Sequence, residues 1–271
     1  MRTRALILAA TAASLALAAC GTEPSPTKER PPAPGPAETE FAYVALGDSL
    51  ATTFGGASVD YPTLYGEAAA EALGEQVVVE NEAIPGITSG SLLILVRTSG
   101  PLQDKLRDAE IVTVHIGAND FNSANDAALE GDCAAEGDLS CHREALDGIK
   151  ANLEGIVQEI LSLRSTSDTV IRIVDNFNRF PSNEAMQEAG FPEDYWKTIR
   201  PVIQEWNEFT CDLAERNHIP CVSLYEALNG PQAKKSPFQA GLLLPDGVHL
   251  SDKGHQAVAA ELEELGFAPL A

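Results

Sequence analysis

The chain has 271 residues, with 40 acidic and 18 basic side chains and a formal charge of −22. Such a surface repels polyanions, which argues against nucleic-acid binding and against a basic patch docked on anionic lipid. Hydrophobic residues make up 44%, enough to build a packed core, so wholesale disorder is excluded. A solvated acidic surface accounts for the charge better than a specific cationic partner does.

Arg2 and Arg4 form a short basic start, followed over residues 5–19 by a run of small, apolar or weakly polar residues. That run is shorter than the roughly 20 apolar residues a membrane-crossing helix needs, and its order is that of a secretory signal peptide over residues 1–19. Leu17-Ala18-Ala19-Cys20-Gly21 resembles a bacterial lipobox, which implies cleavage before Cys20 and a lipid on that cysteine. Pro24, Pro26, Pro31, Pro32, Pro34 and Pro36 crowd residues 20–40 into an extended tether that packs no core. The expected product is exported, held at the cell membrane only through its N-terminal lipid and facing the extracytoplasmic side. Residues 41–271 then form one domain.

With Cys20 lipidated, Cys133, Cys141, Cys211 and Cys221 remain, and four cysteines allow three pairings. Short loops lose least entropy on closure, which favours Cys133–Cys141 and Cys211–Cys221. The signal segment argues against free thiols in a reducing compartment. A zinc site is the weaker alternative, because the spacings are long and no Cys-x-x-Cys pair is present.

Strands are expected at 41–46, 76–79, 111–116, 170–174 and 220–224, where short apolar runs are rich in strand formers. Helices are expected at 61–73, at 89–107 with a break at Gly100-Pro101, and at 146–163, 195–217 and 253–265. The alternation predicts a three-layer α/β/α domain around a mostly parallel five-stranded sheet. Sites in such folds lie at the C-terminal ends of strands.

Three such ends carry chemistry-bearing residues. Gly47-Asp48-Ser49-Leu50 follows the first strand, and a serine there is either a turn residue or an exposed nucleophile. Asn81 to Ser89 follows the second; Gly86 lets the backbone N–H approach a ligand, while Thr88 or Ser89 also suits a helix cap. Gly117-Ala118-Asn119-Asp120 follows the third, and Asn119 offers a neutral amide donor for an oxyanion. Near the C-terminus, Asp246 precedes His249 by three residues, a spacing that lets a carboxylate orient an imidazole within one turn. His115, within a strand, and His255, within the last helix, read as structural. A metal site from Asp246, His249 and His255 lacks a supporting ligand cluster.

Taken in order, Ser49, Gly86, Asn119 and His249 resemble the four blocks of the SGNH or GDSL hydrolase superfamily, with Asn81 and Thr88 also matching the second block. The resemblance spans most of 41–271, although 121–240 carries no matching motif. It implies the α/β/α fold and ester hydrolysis through serine. Ser49 would be nucleophile, His249 base and Asp246 its orienting acid. The N–H groups of Ser49 and Gly86, with the Asn119 amide, would form the oxyanion hole. Asp48 is expected to hold the loop. No metal or organic cofactor is implied, and the chain contains no G-x-S-x-G. A monomer acting on a small-molecule or lipid ester is expected. Phe121, Asn122, Asn176, Phe177, Asn178, Phe180 and the segment up to Cys141 are candidates for the acyl pocket. The net charge leans toward neutral esters. A lipase, a short-chain esterase and a glycan or cell-wall O-acetylesterase all fit. A non-catalytic binding module for acylated surface molecules would be expected to lack one member of the set.

Overall fold

The computed structural model describes residues 40–133 and 139–271. The signal segment, Cys20, nearly all of the tether and the stretch 134–138 lie outside the described residues.

Strands β1 (Glu40–Gly47), β2 (Gln76–Asn81), β3 (Ile111–His115), β4 (Val170–Val174) and β5 (Cys221–Val222) form one sheet in the order β2-β1-β3-β4-β5. Every neighbouring pair is parallel. Parallel strands covered on both faces must be apolar on both faces, and alternating residues show how this is met. Tyr43 and Ala45 pack into one core layer, whereas Val44 and Leu46 pack into the other. Helices α1 (Tyr61–Leu73), α8 (Leu224–Asn229) and α9 (Asp252–Glu264) supply apolar residues to the first layer. Helices α2 (Ser89–Thr98), α3 (Gly100–Asp108), α5 (Ser140–Leu163) and the end of α7 (Tyr195–Arg216) supply the second. The three-layer α/β/α architecture is therefore the one expected.

The differences are local. The break expected at Gly100-Pro101 falls one residue earlier, at Ser99, which is extended and accepts from Leu102 N–H to cap α3, with Pro101 in the first turn. Helix α5 starts at Ser140, six residues before the first apolar residue of its stripe, and β5 is only two residues long. Helices α4 (Asn122–Glu130), α6 (Glu184–Glu188) and α8 are short and amphipathic only in part, so they give little periodic signal. Cys133 is bonded to Cys141, and Cys211 to Cys221, which ties α7 to β5.

A third apolar cluster lies beyond the sheet. Phe121, Phe180, Tyr195, Ile199, Ile203 and Trp206 belong to it, and it brings α5 and α7 under the loops that follow β3 and β4.

Candidate active site

Strand order reverses direction between β1 and β3, which makes their C-terminal ends the switch point where open α/β sheets hold ligands. Ser49 follows β1 immediately. Gly47 permits this, because a Cβ there would lie 2.7 Å from the His115 carbonyl oxygen on β3. Asp48 then caps a short 3₁₀ turn over Ser49–Ala51, its Oδ1 accepting from Leu50 N–H at 2.9 Å. Burial pushes the Asp48 carboxyl up to about 7. Asp48 holds the turn from behind, as expected of it.

Asp246, Gly247, Val248 and His249 form a tight turn. Asp246 Oδ1 accepts from the N–H groups of Val248 at 2.8 Å and His249 at 3.0 Å. Its Oδ2 lies 2.7 Å from His249 Nδ1. The other ring nitrogen, Nε2, lies 3.1 Å from Ser49 Oγ, across 200 residues of sequence. Partial burial pushes the Asp246 carboxyl up, but the hydrogen bonds from the His249 ring and the two N–H groups outweigh it. The net result is a carboxyl below its ordinary value. With a proton on Nδ1 held by Asp246, Nε2 is left to accept from the Ser49 hydroxyl.

Beyond β2 the chain keeps pairing with β1. Glu82 N–H donates to Ala45 O at 2.9 Å and Ile84 N–H to Gly47 O at 3.0 Å, which brings the Gly86 loop beside the Ser49 turn. Asn81 fastens the same junction, donating to Ala51 O at 2.8 Å and accepting from Ala83 N–H at 3.1 Å. Gly86 has a φ of 82°, a conformation that favours glycine, and a Cβ there would meet nothing. Backbone conformation rather than space thus demands that glycine. Thr88 caps α2. Asn119, in the 3₁₀ turn after β3, donates one amide hydrogen to Ile87 O at 3.0 Å, and Asn122 donates to its Oδ1 at 3.4 Å. An amide has two hydrogens, so one stays available. Asp120 binds the Ser89 hydroxyl at 2.6 Å and N–H at 2.8 Å, locking the second and third loops together.

The loops after β1, β3 and β4 and the His249 turn open on a pocket of about 250 Å³ lined by Ser49, Asn119 and His249, while Gly86 is not among its lining residues. Phe121, Asn122, Asn176, Phe177, Asn178 and Phe180, expected near an acyl pocket, all line it. Of the segment expected to approach from Cys141, residues 134–138 lie outside the described residues. His115 is buried and lowered by burial to about 4, and Tyr61 N–H donates to Nδ1 of buried His255, so both histidines are structural.

Sequence reasoning missed four features. Phe54 sets its ring against that of His249 at 4.9 Å, and Gly55 packs against His249 and Asp246. Trp206 stands against Gly117, where a Cβ would lie 2.6 Å from the indole. Arg179 lines the pocket between residues that had been singled out. A cation in a loop after a parallel strand of an acidic chain was the available signal for it. Nothing local in sequence marks the other three.

A model of the GDSL-like lipase/acylhydrolase family matches residues 45–257. No curated protein matches the chain significantly. Among solved structures, a lipase from a goat rumen metagenome is similar at 21% identity and a TM-score of 0.69, over 85% of this chain and 100% of that one. An extracellular lipase from Streptomyces rimosus is similar at 17% identity and 0.61, over 83% and 99%. An acetylxylan esterase from Geobacillus stearothermophilus is similar at 21% identity and 0.56, over 86% and 95%. At these identities the likenesses bear on the fold, while the family match spans all four sequence blocks. The chain belongs to the GDSL-like lipase/acylhydrolase family of ester hydrolases.

Proposed function

We propose that the protein hydrolyses short carboxylic esters through Ser49, with His249 as general base and Asp246 as its orienting acid. The observation that carries this reading is the hydrogen-bonded chain Ser49 Oγ, His249 Nε2, His249 Nδ1, Asp246 Oδ2, at 3.1 and 2.7 Å. Ser49 Oγ attacks the ester carbonyl as its proton passes to His249 Nε2. The tetrahedral oxyanion is received by the N–H groups of Ser49 and Gly86 and by the free Asn119 amide hydrogen. Collapse breaks the ester C–O bond, and His249 returns the proton to the departing alcohol. Water, deprotonated by His249, then releases the acid and restores Ser49.

Size favours the short-chain or O-acyl esterase version over the lipase. About 250 Å³ is below the usual range for sites that enclose a drug-sized ligand, so the pocket suits a short ester. The same reading has the protein exported and lipid-anchored at Cys20, acting as a monomer. The two disulfides favour an oxidising compartment. Initial rates on p-nitrophenyl esters from acetyl to palmitoyl test the size argument. They are expected to peak at or below six carbons, and a maximum at palmitoyl would reject it. Ser49→Ala is expected to lose all measurable turnover, and retained turnover would reject the mechanism. Metabolic labelling with palmitate tests the anchor: label on the wild type and none on Cys20→Ala is expected, and label on both would refute it.

A further inference from the structure

A guanidinium in the wall of this pocket has no protein partner of its own. Arg179 lines the same cavity as Ser49 and His249, and its Nε is closed off from solvent with no hydrogen bond among the described residues. No ion pair within 4 Å reaches it there either. Its Cζ lies 5.3 Å from the Phe180 ring centroid, a cation–π contact rather than a hydrogen bond. Asp48 and Asp246 attract it only from beyond ion-pair distance.

Arg179 is half-buried, and the fully buried Arg172 shows what a structural arginine does in this molecule. Arg172, on β4, donates through Nη1 to Ile171 O at 2.9 Å and through Nη2 to Gly266 O at 2.6 Å. Arg172 also leaves its Nε unpaired, so the difference lies at the Nη groups, where Arg179 makes no such bond among the described residues. A closed-off Nε–H without a partner costs stability, and a guanidinium left without a protein acceptor beside the reacting serine calls for a reason.

The segment that carries Arg179 is built to hold still. Asn207 brackets Asn176, accepting from its N–H at 2.9 Å and donating to its carbonyl at 2.6 Å. Asn229 brackets Asn178 in the same way, at 2.7 and 2.8 Å. Asn183 donates to Arg179 O at 2.7 Å and to Gly247 O at 2.8 Å, which couples the arginine backbone directly to the Asp246–His249 turn. The guanidinium thus has a defined place relative to the acid–base pair. Among the described residues it is, apart from His249, the only ionisable group on the pocket wall, which besides the Ser49 hydroxyl is aromatic, aliphatic and amide.

We infer that Arg179 is a carboxylate receptor, and that the preferred substrate is an ester carrying a carboxylate a few carbons from the scissile bond. The inference rests on the serine-esterase reading and narrows its substrate class. A planar fork on the pocket wall matches the two oxygens of a carboxylate, while the aromatic and aliphatic walls accept the carbons between. The overall negative charge of the chain slows encounter with such an anion. It acts through screened water over long distances, whereas Arg179 acts at contact.

The test compares charged and neutral esters on the purified full-length protein in a pH-stat at fixed ionic strength. One arm sets monoethyl succinate, glutarate and adipate against ethyl butyrate, pentanoate and hexanoate, which places the carboxylate on the acyl side. The other sets 4-butyryloxybutanoate against pentyl butyrate, which places it on the alcohol side. The wild type is expected to favour the charged member of at least one arm in kcat/KM by about tenfold or more, the scale of one charge-assisted hydrogen-bonded contact. Arg179→Gln should abolish that preference, mainly through a higher KM for the charged ester, and Arg179→Lys should restore part of it. Should Arg179→Gln fail to fold, inhibition of the wild type decides: free adipate is expected to compete at lower concentration than adipamide, its neutral diamide.

A neutral preference in both arms overturns the inference, as does an equal loss on charged and neutral esters in Arg179→Gln. Adipamide inhibiting as well as adipate overturns it too. In those outcomes, Ser49-dependent hydrolysis of the neutral esters leaves the serine-esterase reading standing. An absence of all ester hydrolysis sinks both.

Discussion

At the residue scale, the site depends on one carboxylate doing two tasks with its two oxygens. Asp246 Oδ1 closes the turn that carries His249, and Oδ2 fixes the ring. Asp246→Asn keeps the shape but offers an amide that favours the wrong tautomer. It is expected to lower kcat by about 10³–10⁴-fold. Steady-state kinetics beside a melting curve check this, since a parallel loss of Tm would point to folding instead. Asn119→Ala removes one of the three donors proposed for the oxyanion and is expected to cost about 10²–10³-fold in kcat. Ser49, Asn119 and His249 were readable in sequence because each follows a strand end or a turn signature. Phe54 and Trp206 were not, because each acts through a neighbour far along the chain, and Arg179 had only its charge in a loop after β4 to mark it. Phe54, for example, meets His249 across 195 residues.

At the element scale, loops are held by amide side chains rather than by longer strands. Asn207, on α7, and Asn229, at the end of α8, satisfy the backbone of residues 176 and 178 after β4 ends. Replacing Asn229 with alanine leaves buried backbone groups of Asn178 unpaired, and is expected to cost about 2–4 kcal/mol. Urea unfolding measures this, and a change below half a kcal/mol would show that water replaces the clamp. Gly117→Ala is expected to lower activity as well as stability, because the new Cβ meets Trp206 and shifts the turn that carries Asn119. The five strands were legible because strands covered on both faces are continuous apolar runs. The short helices after Phe121, around Glu184 and at Leu224 were not, because tertiary packing rather than periodicity decides them.

At the scale of the whole molecule, buried ionisable groups set opposing pH trends. Burial raises Asp48 and Asp175 to about 7 from 3.8, so both fold best protonated. Their contribution is full below about pH 3.8 and is lost as pH rises toward 7. Burial lowers His115 and His255 to about 4 from 6.5, so both fold best neutral. Their contribution is full above pH 6.5 and is lost as pH falls toward 4. Asp175→Asn removes one acidic member, so its Tm relative to wild type is expected to rise between pH 4 and 7. Melting curves that stay parallel across that window would contradict the assignment. Composition describes this envelope, while three short blocks at strand ends and a fourth in the turn before α9 describe the chemistry.

The central claim is that Ser49 is the nucleophile set by His249 and Asp246. Reaction of the full-length protein with a fluorophosphonate, followed by digestion and mass spectrometry, tests it most directly. One adduct on the peptide bearing Ser49, strongly slowed in His249→Ala and absent in Ser49→Ala, is the predicted result. An adduct on another residue, or equal labelling of Ser49→Ala, would contradict the account.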